Sequence, residues 1–84
     1  MLIRTGYHLL MRMNLKSIKV GQKIEITLIP QELKDELLRL GISAGEVLTC
    51  ISSIPGGPVI LQQELQELAI GEAFSKKIEC KLVS

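Results

Sequence analysis

The side chains best suited to nucleophilic or soft-metal chemistry are few in this chain of 84 residues: His8, Cys50 and Cys80. A Ser-His or Cys-His pairing needs a histidine that the fold holds beside a nucleophile. His8 sits in a stretch without periodicity near the start of the sequence, so no such pairing has support. Cys50 and Cys80 lie thirty residues apart, without CxxC or HxxxH spacing, and a tetrahedral zinc site cannot be read from them. There is no phosphate-binding P-loop, no dinucleotide fingerprint and no HExxH. The sequence therefore predicts no enzyme, no catalytic residue and no cofactor. In strand phase Leu48 and Cys50 share one face, and Ile78, Cys80 and Leu82 share another. Both thiols then read as small core hydrophobes. Ligation of a metal by one of them with a carboxylate, or a disulfide, are the alternatives.

Binding chemistry is narrowed by composition. Tyr7 and Phe74 are the only aromatics, so the stacking platforms of single-strand recognition are missing. Ten basic and nine acidic residues leave a net charge of +1, which gives no electrostatic footprint for nucleic acid or an acidic membrane. Residues 9–13 are apolar but broken by Arg12, too short for a span or a signal core. Two cysteines without a secretory signal point to reduced thiols and the cytoplasm. What remains is a module that binds a partner. Its apolar content of 46% is almost all Leu, Ile and Val, enough for one small core.

The elements that would position such a surface are well punctuated. Residues 1–12 have no clean period and precede a second plausible beginning at Met13; they read as an extension, either an arm or an extra edge strand. Residues 22–29 alternate, with Ile24, Ile26 and Leu28 on one face, a half-buried strand. Pro30 ends it and suits the start of a helix. Over residues 31–40, Leu33, Leu37 and Leu40 form one stripe, with Glu32 and Arg39 favourably placed on the helix dipole. Asp35 and Arg39 have the spacing of a helical ion pair, and Gly41 that of a left-handed cap. Four short strands follow, at 47–54, 58–62, 67–70 and 78–83, with a one-turn helical connector at 71–74. Pro55-Gly56-Gly57-Pro58 marks the tight turn between the first two. One helix inserted among about five short strands predicts a mainly β domain, a small closed or partly open barrel.

The order of these signals resembles the FeoA family, the small cytosolic component of bacterial ferrous-iron transport. The resemblance covers residues 13–83. It rests on Leu15, Gly21, Ile24 and Ile26, on Leu37-Leu38-Arg39-Leu40-Gly41-Ile42, on Gly45 and Val47, and on Pro55-Gly56-Gly57-Pro58-Val59. Leu68-Ala69-Ile70, Glu72-Ala73 and Ile78 complete it. Membership implies an SH3-like β-barrel over residues 13–84. It also implies an accessory role in iron homeostasis, through protein–protein contact with the cytoplasmic GTP-binding domain of the ferrous-iron permease FeoB. A related barrel forms the C-terminal domain of iron-dependent repressors, so a free-standing metal-responsive module, weakly binding Fe²⁺, is the competing expectation. A domain gripping Pro-rich peptide is the third, weakened by the scarcity of aromatics. Many family members carry an arginine directly after the Leu-Ala-Ile piece, where this chain has Gly71. The expected contact residues are Leu38 and Arg39 on the helix and Pro55, Gly56, Gly57 and Pro58 at the turn. An exposed leucine flank or an unpaired strand edge would also support a homodimer.

Overall fold

The computed structural model describes residues 13–83. The extension read over residues 1–12, His8 included, lies outside them. In chain order the elements are β1 (Met13–Asn14), a 3-10 turn (Leu15–Ser17), β2 (Lys23–Leu28), α1 (Gln31–Arg39) and β3 (Val47–Ser53). There follow β4 (Val59–Gln63), β5 (Gln66–Ile70), the single turn α2 (Glu72–Ser75) and β6 (Glu79–Leu82). All pairings are antiparallel, in the order β1-β6-β2-β3-β4-β5. Inward residues of five strands join one cluster: Ile24 and Ile26 of β2, Leu48 and Cys50 of β3, Val59 and Leu61 of β4, Leu68 and Ile70 of β5, and Cys80 of β6. A single sheet whose apolar faces all meet in one cluster must curl upon itself. The result is the expected SH3-like, mainly β architecture, with its ladder left open between β1 and β5.

The sixth strand is β1, where Met13 and Asn14 pair with Cys80 and Glu79. Two residues are too few to show a period of two, which hides such a strand in the sequence. Leu15, the first residue of the 3-10 turn, and Ile18, directly after it, are buried and anchor it to the core.

Three expected core positions turn outward. Leu28 does not continue the face of Ile24 and Ile26 but is 48% exposed. The β2–β6 register shifts between Ile26 and Leu28, and Ile29 takes the inward position instead. A bulge adds a residue on one strand and so exchanges the faces beyond it. In α1, Leu33 and Leu37 are buried, whereas Leu40 sits past the last full turn and is 39% exposed. Leu82, expected to point inward with Cys80, is likewise exposed near the end of β6. The Asp35–Arg39 pair does not form, and neither residue has an ion-pair partner among the described residues. Gly41 ends α1 at φ +83°, with its N–H on Leu38 O and the Ile42 N–H on Leu37 O. This is the left-handed cap that the sequence predicts.

Candidate functional site

Leu38 lies one residue beyond the buried stripe of α1, so rotation of 100° per residue carries it to the flank. There it is 60% exposed. Beside it the β2 bulge presents Leu28, and the loop after Gly41 folds back to place Ile42 and Ala44 between them. This loop is fixed by backbone pairing: Gly45 N–H donates to Ile26 O and Ile26 N–H to Glu46 O. The outcome is an open apolar groove of about 410 Å³. Its one ionic lining residue is Lys34, four residues before Leu38 and without a hydrogen-bond or ion-pair partner among the described residues. Two exposed leucines over a buried isoleucine, rimmed by a free ammonium, suit an apolar side chain carried near an acidic group.

A second recess, of about 190 Å³, lies on the opposite flank of α1, between Leu37, Leu40, Ala69, Gly71 and Phe74. Gly71 has φ −59°, open to any residue, and a Cβ there would meet nothing within 4 Å. The position has room for a long side chain. Arg39 is exposed and lines neither recess.

The Pro55–Pro58 turn stands elsewhere. Gly56 takes φ +74°, while Gly57 needs no positive φ and closes the turn with its N–H on Ile54 O. Lys16 reaches across from the 3-10 turn: its Nζ donates to Ile54 O at 2.9 Å and to Gly57 O at 3.0 Å. The same ammonium faces Glu72 of α2 at 3.9 Å, and only 15% of the side chain is exposed. Lys16 had no signal in the sequence beyond its charge, because both carbonyls it binds are backbone atoms, 38 and 41 residues away. The turn follows the C-terminal end of β3, whereas the groove adjoins its N-terminal end. Seven extended residues separate them, roughly 23 Å. The structure thus brings Leu38 together with Leu28 and Lys34 and does not bring it together with Pro55, Gly56, Gly57 and Pro58.

The thiols are core groups. Cys50 is fully buried and Cys80 2% exposed. Burial raises both thiols, Cys80 to about 11, with the Ser52 backbone partly opposing the effect at Cys50. β2 separates their strands; Cys50 bonds through its N–H to Gln22 O, whereas Cys80 stands opposite Ile26. The four-residue step from Gln22 to Ile26 is roughly 13 Å of extended chain, too far for the under-7 Å Cα spacing of a disulfide. Among the described residues no group of three or more His, Cys, Asp or Glu could hold a metal ion. No helix there is long and apolar enough to cross a membrane.

Comparison with known proteins agrees with this architecture. A crystal structure of an iron uptake regulatory protein (FeoA) superposes with a TM-score of 0.77 at 22% identity, covering 87% of this chain and 99% of that one. The solution structure of a FeoA-like protein from Clostridium acetobutylicum gives 0.73 at 17% identity, over 87% of this chain and 88% of the other. FeoA protein from Chlorobium tepidum gives 0.75 at 21%, over 86% of this chain and 71% of the other. Among curated proteins none matches the chain significantly. The family model for the FeoA domain matches residues 13–82, nearly the whole described fold from β1 to the end of β6, and the chain belongs to that family.

Proposed function

We propose that the chain is a non-enzymatic accessory protein of ferrous-iron uptake that acts in the cytoplasm by contact with the GTP-binding domain of a FeoB-type permease. Membership of the FeoA family supports the role in ferrous-iron transport. The observation that carries the contact mechanism is the groove, where Leu28 and Leu38 stay exposed beside a Lys34 that has no partner among the described residues. Leu28 and Leu38 are among several large apolar side chains left outside, but these two flank a buried Ile42, and the patch they form falls in free energy when a partner covers it. Arg39 and the Pro55–Pro58 turn lie apart from the groove, and in this reading they contact the permease at its margin or not at all.

Titration of the permease's cytoplasmic domain with this protein, without nucleotide, with GDP and with a non-hydrolysable GTP analogue, tests the proposal. Binding in at least one state, lost on Leu38→Asp, is the expected result. Absence of binding in every state removes the mechanism. The reading assigns no resident metal to the chain, so an anaerobic Fe²⁺ titration should show no tight saturable site.

A further inference from the structure

Leu65 is the most exposed large apolar residue of the described chain, at 102% of its reference area. It occupies the two-residue turn of the β4–β5 hairpin, where Gln63 and Gln66 still pair. Its neighbour Glu64 has φ +55°, a left-handed conformation that costs a non-glycine residue free energy. The hairpin end is nonetheless held firmly. Gln63 Nε2 donates to Glu46 Oε1 at 2.8 Å and to Gly41 O at 3.4 Å, and Gln66 Nε2 donates to Leu40 O at 3.3 Å. These are the residues on either side of Ile42, Ser43 and Ala44, which line the groove. An apolar knob and an apolar groove therefore share one loop and one end of the molecule.

Their charges are opposite. Glu64, beside the knob, has no hydrogen-bond or ion-pair partner among the described residues, and neither has Lys34, at the groove. A surface that carries both halves of a complementary contact side by side can satisfy both at once across a two-fold axis.

We propose that this end of the molecule pairs with a second copy of the chain: Leu65 of each copy enters the groove between Leu28 and Leu38 of the other, and Glu64 of each meets Lys34 of the other. The pairing is reciprocal and closes at two copies. With one leucine and one exposed ion pair from each side, it belongs among small, transient interfaces.

Sedimentation of the protein alone, from about 10 μM to about 1 mM, tests this without any permease. Failure here and failure of the permease reading are thus separate results. The wild-type mass should rise toward twice that of the monomer and stop there. Leu65→Ser should weaken association by about a hundredfold or more, because the variant removes a covered leucine from both halves of the pair. Its thermal midpoint in dilute solution should stay unchanged, since Leu65 touches no core. Glu64→Lys and Lys34→Glu should each weaken association, and the double variant should restore it. A wild type that stays monomeric to about 1 mM overturns the pairing, as does association unaltered in Leu65→Ser or a mass that grows beyond two copies.

Discussion

The Lys16 ammonium has three N–H donors, and its surroundings offer three oxygens: two turn carbonyls and the Glu72 carboxylate. Hydrogen bonds to a charged group contribute about 1.5–3 kcal/mol when partly buried. Lys16→Met keeps most of the stem volume and removes that contact, so stability measured by urea denaturation should fall by about 1–3 kcal/mol. Exchange at the Gly57 amide should also accelerate; unaltered exchange would mean that the turn holds itself. Cys80 gives a pH test. Its thiol is raised from 9.0 to about 11 in the fold, so above pH 9 the unfolded chain releases a proton that the folded one keeps. The stabilising preference for the protonated thiol is complete below pH 9 and is lost as pH rises through about 11. The thermal midpoint should therefore drop across that interval, less steeply in Cys80→Val, and equal slopes would contradict the burial of the thiol. The core role of both cysteines was legible because strand phase places them beside Leu48 and Ile78. Lys16 and Lys34 were not, since what distinguishes them is the presence of remote carbonyls in one case and the lack of a partner among the described residues in the other.

At the scale of elements, local rules decided most of the fold and tertiary register decided the site. α1 was legible from Pro30 to Gly41 because a proline, a leucine stripe and a glycine cap agree. Gly41→Ala should cost about 1 kcal/mol in the same urea assay, since φ +83° disfavours a Cβ. A smaller effect would mean that the cap relaxes to a right-handed end. Leu28 shows where sequence reading stops. Its alternation with Ile24 and Ile26 is regular, and only pairing with β6 reveals the bulge that turns it outward. The groove owes one wall to that bulge. Leu38, by contrast, was visible as a flank residue from helical phase alone. The Pro-Gly-Gly-Pro turn was also visible, but its distance from Leu38 depends on the direction of β3, which no local pattern contains. Gly71 opens on a recess, so Gly71→Arg should fold with an unchanged thermal midpoint. A marked fall would show that the recess is closed in solution.

At the scale of the molecule, sixteen buried apolar residues among those described make one core from elements that are individually short. No reactive cluster was found among the described residues, and the groove beside α1 is the feature with unsatisfied apolar surface and a free charge together. The proposed function therefore lies in a surface, the groove beside α1, through which the protein would engage the permease. Calorimetric titration of the permease's cytoplasmic domain with wild type and with Leu38→Asp tests it most directly. Saturable binding by the wild type, weakened at least tenfold by Leu38→Asp (about 1.4 kcal/mol) with folding intact, is predicted. Equal binding by both proteins, or no binding by the wild type in any nucleotide state, would contradict it.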